Sequence, residues 1–218
     1  MNYIDIHTHT FHNDPELTSV VNVFPEEQDK LLLPAMFSVG LHPWNILPSD
    51  PDAQMNLVQL AAVHPNVIAI GETGLDKTIA IPYNIQCSVF EKHLQLAEKN
   101  QKAVIIHCVR SYSEMLAYRK KAGLSIPWIF HWFNSTMQTA EALIGRNCYL
   151  SFGHMLFNDQ SKAHRVFKEL PLERVFFETD DAGYSIREIY EHAALLRNIP
   201  VEALKTRIMD NFVRCFKS

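Results

Sequence analysis

The amino-acid sequence predicts an α/β protein with the architecture of a (β/α)8 barrel of TIM type, in which the early crossovers are short. Short apolar runs rich in β-forming residues recur along the chain. Most of these runs are continuous rather than alternating, which is typical of parallel strands covered on both faces. Helical patterns separate most of them, and repeated strand–helix units form a parallel sheet with right-handed crossovers. Eight such strands favour closure into a barrel.

The predicted strands follow one another at residues 3–7, 19–24, 36–41, 67–71, 103–107, 128–131, 148–152 and 174–179. Helical periodicity predicts helices at 85–100, 114–121, 136–144 and 162–170, and a C-terminal third that is helical to its end. Pro200 is well placed to open the last helix. The connections at 10–18 and 25–35 are too short for a crossover helix, so we expect the barrel to be thinly covered there.

Length and composition narrow the class of protein. A chain of 218 residues with 47% hydrophobic residues fits one domain, 1–218, with a sizeable core. The formal net charge of −4 argues against a broad basic surface for gripping duplex nucleic acid. It leaves phosphate substrates open, because bound metal ions would reverse the charge locally.

The cysteines and the apolar segments indicate the cell compartment. Cys87, Cys108, Cys148 and Cys215 show no CxxC spacing, so they are read as reduced thiols rather than as a disulfide framework. The sequence begins without a basic region followed by an apolar stretch, and it has no run that would span a bilayer. We therefore expect a cytoplasmic protein that does not act at a membrane.

Two histidines stand one residue apart in "IDIHTHT", at the end of the first predicted strand. Residues two apart on a strand point to the same side, so His7 and His9 share a face. A single buried histidine is more often a hydrogen-bonded core residue than a ligand. Two imidazoles on one face suit a metal ion better than an apolar core, but the pair alone decides little.

Other polar side chains stand at the carboxyl ends of the predicted apolar strands. They are His42 on the third strand, Glu72 on the fourth, His107 on the fifth, His131 on the sixth and Asp180 on the eighth. In a (β/α)8 barrel these carboxyl ends converge on one rim, where active sites are built. Four of the five histidines at strand ends, His7, His9, His107 and His131, can bind two divalent ions (Zn, Mg or Mn) together with Glu72 and Asp180, with one carboxylate bridging the ions. Such a pair clamps an in-line displacement and turns bound water into hydroxide near neutral pH.

Several motifs carry a resemblance to a known family. "DIHTHT", "GLHPW", "GETGLD", "IIHC", "FHWF", "ETD" and "NFVRCF" follow in order over nearly the whole chain. Together they resemble the TatD family of metal-dependent hydrolases, within the amidohydrolase superfamily. The resemblance implies a divalent-metal hydrolase, with deoxyribonuclease (DNase) activity reported for members of the family. It also implies two ligand sets, which are His7, His9, Glu72 and Asp180 for one ion, and Glu72, His107 and His131 for the other.

The chain departs from the family pattern in three places. The family often has His-x-Arg after the fifth strand, whereas here Val109 intervenes and Arg110 comes one residue later. After "ETD" the chain reads "DAGYS" and enters a helix without the longer Pro/Arg-rich loop. The segment 10–35 is also trimmed, so we expect a shallower and more open pocket.

Roles follow for individual residues. Asp180 and Glu72 are the predicted catalytic residues, and His42, Arg110 and Trp132 are the predicted substrate contacts. His42 either touches substrate or caps its strand end. Trp132 either stacks on a base or packs on the rim. Asp76 of "GLD" is read as a turn or supporting residue rather than a ligand.

The leading hypothesis is a nuclease that cleaves a phosphodiester with metal-activated water, acting on single-stranded nucleic acid or a small molecule and with no obligate protein partner. "DIHTHT" also resembles the opening motif of the polymerase-and-histidinol-phosphatase family, but that family is expected to finish with an Asp-x-His pair, and none follows Asp180. A phosphomonoester, ester or amide substrate stays open, because fold and metals do not fix the bond that is cleaved. A metal-binding protein without turnover is the alternative from another class.

Overall fold

The computed structural model describes residues 1–123 and 125–216. Its strands are β1 (Tyr3–Thr8), β2 (Leu17–Val23), β3 (Met36–Val39), β4 (Val67–Asp76), β5 (Ala103–Val109), β6 (Trp128–Phe130), β7 (Cys148–Phe152) and β8 (Val175–Phe177). They form an eight-stranded sheet in which each strand neighbours the next along the chain. A parallel bridge joins Thr8, at the end of β1, to Asp180, just after β8. The predicted fold class, a (β/α)8 barrel, is confirmed.

The α-helices of the described residues are α1 (Pro51–Ala62), α2 (Tyr83–Asn100), α3 (Tyr112–Ala122), α4 (Met137–Ile144), α5 (Lys162–Glu169), α6 (Ile186–Arg197) and α7 (Val201–Phe216). Helix α1 is missing from the sequence prediction, although Asp50 caps it by accepting from the Ala53 N–H at 3.1 Å and Pro51 occupies its first turn. Residues 9–16 and 24–35 are all described, and they contain one short 3-10 turn and no α-helix, as the short connections predicted.

The chain divides into two compact units. Residues 1–21 and 130–216 form one, which we call the first unit, and residues 22–129 form the second unit, apart from residue 124. In the first unit, the buried Tyr190 of α6 ties the helix to β1, because its hydroxyl accepts from the Ile4 N–H and donates to the Ile4 carbonyl, both at 3.1 Å. The aromatic ring of Phe177 packs on Tyr190 with ring centroids 4.7 Å apart. Helix α6 therefore fixes the position of the first strand.

The second unit is built around β3, β4 and β5. Trp128 is fully buried and packs edge-on against Phe90 of α2 at 5.7 Å. Arg119 of α3 lies over the same indole at 5.1 Å and donates to the Ile126 carbonyl at 2.9 Å. The buried guanidinium thus has an aromatic face and a carbonyl acceptor, and helices α2 and α3 pack onto the core through Trp128. None of the helices in the described residues has the length and apolar character needed to cross a membrane.

Candidate metal centres

The first unit brings together three of the predicted metal ligands. His7 of β1, His131 after β6 and Asp180 after β8 have ligand atoms within 4.8 Å of one another. Nε2 of His7 lies 3.5 Å from Oδ1 of Asp180, and Nε2 of His9 lies 3.2 Å from the same oxygen. The shared face predicted for His7 and His9 therefore faces Asp180. We call His7, His9, His131 and Asp180 the first cluster.

Backbone hydrogen bonds hold Asp180 against β1. Its N–H donates to the His7 carbonyl at 3.0 Å, and its own carbonyl accepts from the His9 N–H at 3.4 Å. Asp180 lies beyond the last residue of β8 and adopts a left-handed backbone with φ 54°. Burial raises the pKa of its carboxyl, but hydrogen bonds with His7 and His9 outweigh burial and leave the pKa below its usual range. The cluster therefore presents an anionic carboxylate among imidazoles.

Two buried carboxyl groups beside the first cluster were not predicted as part of the site. Glu178 accepts the backbone N–H of Trp132 and lies 3.8 Å from Nδ1 of His131. Burial raises the pKa of Glu178 to about 8. Asp5 accepts from the Thr179 N–H at 3.1 Å and from its hydroxyl at 2.6 Å. Each stands two residues before a cluster member, Asp5 before His7 on β1 and Glu178 before Asp180 just after β8, and this spacing was the available signal.

The second unit holds a second cluster, formed by His42, Glu72 and His107. Oε1 of Glu72 lies 3.1 Å from Nε2 of His42 and 2.9 Å from Nδ1 of His107. All three side chains are buried. Glu72 lies inside β4 rather than at its end, since the strand continues to Asp76. His107 likewise precedes the last residue of β5 by two.

His42 and His107 meet Glu72 in different ways. Nδ1 of His42 accepts from the Trp44 N–H at 3.1 Å and so caps the following 3-10 turn. A neutral imidazole has one acceptor nitrogen, so Nε2 of His42 carries the proton and donates to Glu72. His42 therefore caps a 3-10 turn beyond β3 rather than the strand end itself, and its ring also orients Glu72. Its role as a substrate contact stays a prediction. His107 uses both nitrogens, because Nε2 lies 3.2 Å from Oδ2 of Asp76 while Nδ1 faces Glu72.

Glycines allow β4 and β5 to approach around Glu72. A Cβ on Gly71, whose φ is +138°, would lie 2.3 Å from the Ile105 carbonyl oxygen. A Cβ on Gly74 would lie 1.9 Å from the carbonyl oxygen of His107. No side chain can be accommodated at either contact without moving a strand. The two glycines of "GETGLD" therefore set the distance between Glu72 and His107.

The remaining predicted substrate contacts lie directly after strands. Arg110 follows β5, is exposed and has φ 53°. Trp132 follows His131, has φ 45° and keeps 37% of its surface exposed. Left-handed backbone is uncommon outside glycine and tends to occur where the chain holds a functional side chain. The roles of Arg110 and Trp132 as substrate contacts stay predictions.

The donor atoms suit a divalent metal. Each cluster combines imidazole nitrogens with carboxylate oxygens, which is the ligand chemistry of zinc and manganese. Asp76 on the far nitrogen of His107 reproduces the carboxylate–histidine arrangement that orients metal-binding imidazoles. The residues present therefore fit metal ions, and bound cations would offset the negative charge of the buried Glu72 and the partly buried Asp180.

Comparisons with known proteins agree with this chemistry. A family model described as "TatD related DNase" matches residues 26–217. The chain is 30% identical over 197 residues to the Escherichia coli K12 protein described as "Uncharacterized metal-dependent hydrolase YcfH", a match that covers 83% of this chain and 73% of that protein. It is also 30% identical over 159 residues to the human protein named 3'-5' RNA nuclease TATDN2, covering 69% of this chain and 20% of that protein. The crystal structure of YjjV, a TatD homologue from Escherichia coli K12, has a TM-score of 0.86 at 22% identity and covers 99% of this chain and 98% of its own.

Proposed function

Because this chain belongs to the TatD family of metal-dependent hydrolases, we propose that it is a phosphodiesterase that cleaves single-stranded nucleic acid by hydrolysis. The observation that carries the proposal is the accessibility of Asp180. The carboxylate sits among the imidazoles of the first cluster and also lines an open cleft of about 570 Å³. A substrate can reach this carboxylate, whereas a buried ion pair of purely structural use needs no cleft.

We propose that His7, His9, His131 and Asp180 hold one ion, and that Glu72 and His107 hold another. This assigns His131 to the first ion, because it lies with His7 and Asp180, rather than to the second ion as the resemblance implied. Divalent ions so bound would activate water near neutral pH and neutralise the charge of a phosphodiester. Asp180 accepts the proton of the attacking water, because a carboxylate that faces an open cleft can take a proton that an amide cannot. His42 keeps Glu72 oriented through its Nε2–H.

The charge of the protein favours a substrate with few phosphates in contact. The formal net charge is −4, and the cleft beside Asp180 is lined by Asp5, Asp14 and Asp181 as well as by Arg187. Arg187 is already engaged, because it donates to Asp14 at 2.6 Å and to Glu16 at 2.7 Å. Long duplexes would be repelled, so single strands and chain ends are the proposed substrates.

The test is a substrate screen of metal-depleted protein reconstituted with Mn²⁺, Mg²⁺ or Zn²⁺. End-labelled single-stranded DNA, single-stranded RNA and duplex DNA are compared with a phosphomonoester and a carboxylic ester. We expect metal-dependent shortening of single strands and its abolition by EDTA. Hydrolysis of only the phosphomonoester or the carboxylic ester would overturn the phosphodiester proposal.

A matched pair of variants distinguishes cleavage by the candidate site from cleavage by a contaminating nuclease. His7→Ala removes an imidazole from the first cluster, and His64→Ala removes one that belongs to neither cluster, precedes β4 and accepts the Asn66 N–H at 3.3 Å. Both proteins pass through the same purification. We expect loss of cleavage in His7→Ala and wild-type cleavage in His64→Ala. Equal cleavage by both variants would assign the activity to a contaminant, and bound metal without turnover in the wild type would indicate a metal-binding protein.

A further inference from the structure

Five aromatic side chains in the first unit form a continuous row that starts next to His131. We call Trp132, His154, Tyr184, Phe157 and His192 the aromatic row. Trp132 packs edge-on to His154 with ring centroids 5.1 Å apart, and the rings of His154 and Tyr184 are parallel within 5° at 6.0 Å. Tyr184 stacks on Phe157 at 4.5 Å, and Phe157 stacks on His192 at 4.5 Å.

The exposed rings of the row are Trp132, at the end next to His131, and Tyr184, in the middle of the row. Trp132 and Tyr184 keep 37% and 42% of their surface exposed. Phe157 and His192 lie behind Tyr184, and Nε2 of His192 is 3.0 Å from the Leu156 carbonyl oxygen. Tyr184 is already held by its contacts with His154 and Phe157, so it loses little freedom when a base packs against the part of its ring that stays exposed. Tyr184 therefore offers a prepared surface rather than a mobile side chain.

The row is also next to the proposed reaction centre. Tyr184 lines the same cleft as Asp180 and Thr8. Trp132 follows His131 directly, and its backbone N–H is fixed by Glu178. A group that stacks on Tyr184 or Trp132 would thus lie beside a phosphate bound at the first cluster. In a nucleic acid, the group attached next to each phosphodiester is a sugar that carries a base.

We propose that the aromatic row is a nucleobase platform, on which Tyr184 and Trp132 stack the bases that flank the phosphodiester to be cleaved. The proposal rests on the phosphodiesterase function proposed above and adds how the substrate is held. The acidic cleft attracts phosphates only through bound metal, so stacking supplies the attraction for the rest of the chain. Every base has an aromatic face, so this recognition tolerates any sequence and requires an unpaired strand.

The test compares a labelled decathymidylate with a decamer of abasic sites, which has the same backbone charge and no bases. Binding is measured by fluorescence anisotropy on Mn²⁺-loaded protein carrying Asp180→Asn, so that cleavage does not consume the probe. We expect the decathymidylate to bind at least roughly fivefold more tightly than the abasic decamer, the lower range of stacking on one aromatic ring. Tyr184→Ala and Trp132→Ala should each reduce this ratio.

Two further variants separate stacking from general surface damage. Tyr184→Phe keeps the ring and should keep the ratio, so it also shows whether loss in Tyr184→Ala reflects misfolding. Leu195→Ala removes an apolar side chain that is 78% exposed on α6 and lies outside the row, and it should leave the ratio unchanged. An equal affinity for both probes, or a ratio that survives both alanine substitutions, would overturn the platform.

A cleavage assay of the wild-type protein shows which proposal fails, the nucleobase platform or the phosphodiesterase function on which it rests. Cleavage of single strands without any preference for bases would refute the platform and leave the phosphodiesterase intact. A preference for bases that depends on Tyr184, together with no cleavage under any metal, would refute the phosphodiesterase and support a base-binding surface.

Discussion

The indole Nε1–H of Trp44 donates to Oδ2 of Asp76 at 2.8 Å. The same oxygen lies 3.2 Å from Nε2 of His107, while Oδ1 of Asp76 accepts from the N–H and the hydroxyl of Thr78 at 2.8 and 2.5 Å. Burial raises the pKa of Asp76, but the bonds from Thr78 and Trp44 outweigh burial and leave the pKa below its usual value. Asp76 therefore stays charged and holds the His107 ring with Nδ1 towards Glu72.

Replacing Asp76 should weaken metal binding by the second cluster without removing any ligand. In Asp76→Asn the amide keeps the shape of the side chain but loses the charge that orients His107. We expect metal affinity to fall roughly 10–100-fold, as for other residues that support a metal-binding histidine. Competition with a fluorescent chelator measures the metal affinity of the variant and of the wild type. Trp44→Phe removes one donor to Asp76 and should have a smaller effect, and an unchanged affinity in Asp76→Asn would refute the positioning role.

Asp180→Asn should separate metal binding from catalysis at the first cluster. The amide oxygen can still face a metal ion but cannot accept the proton of the attacking water. We expect a folded protein that keeps much of its metal and loses roughly 10²–10⁴-fold in turnover, the contribution of a positioned general base. Bound metal and cleavage are measured together at saturating metal. Wild-type turnover in a metal-loaded Asp180→Asn protein would leave Asp180 as a ligand alone.

Gly71→Ala should destabilise the second unit by forcing β4 away from β5. The added Cβ would meet the Ile105 carbonyl at 2.3 Å, in a backbone with φ +138°. Gly123→Ala is the matched control, because Gly123 has φ +58° but, among the described residues, no atom beyond its chain neighbours within 4 Å of an added Cβ. In Gly123→Ala the free energy of unfolding should fall by only about 1 kcal/mol, the cost of placing alanine in a left-handed backbone. Urea unfolding measures the free energy of unfolding of both variants. Equal decreases in the two variants would show that the contact between β4 and β5 at Gly71 is unimportant.

His93 should make the stability of the metal-free protein fall in mild acid. Burial lowers the pKa of His93 to about 4, and its neutral ring donates from Nδ1 to the Val89 carbonyl while Nε2 accepts from the Leu41 N–H. The unfolded chain binds this proton near pH 6.5, so unfolding takes up a proton between pH 6.5 and 4. The stabilisation from His93 is thus complete above pH 6.5 and shrinks by about 3 kcal/mol as the pH falls to 4.

The comparison for His93 is His93→Gln, which keeps an acceptor for the Leu41 N–H and does not titrate. Urea unfolding of both proteins in EDTA, at several pH values from 7 to 4, gives the free energy of unfolding. The difference between the two proteins should narrow as the pH falls, since all other groups titrate alike. A constant difference across this range would show that His93 titrates normally.

Much of the fold could be predicted, because strands that are covered on both faces leave continuous apolar runs. The positions of all eight strands and the family resemblance are confirmed. Helix α1 was not predicted, although its Asp50 cap and Pro51 are clear start signals, because Gln54 and two alanines on its buried face weaken the apolar period. The strand β4 extends five residues further than predicted because its polar Glu72 and Asp76 are inside the strand and hydrogen-bonded there.

The residue types of the site could be predicted from the sequence, but several contacts between its side chains could not. Strand ends pointed to His7, His131 and Asp180, and the first unit brings these together. The sequence could not show that His42 donates to Glu72, because the 3-10 turn that fixes its ring depends on the Trp44 N–H. It also missed Glu178 as a neighbour of His131, since that contact joins two strands far apart in the chain.

The proposed function requires that metal held by these clusters drives phosphodiester cleavage. The most direct measurement is the rate of cleavage of end-labelled single-stranded DNA and RNA as a function of free Mn²⁺, for the wild type and His107→Ala. We predict a saturable rise from no cleavage in EDTA for the wild type, and a curve shifted to higher Mn²⁺ for His107→Ala, because one ligand of the second cluster is gone. Cleavage that persists without metal, or identical curves for the two proteins, would contradict the claim.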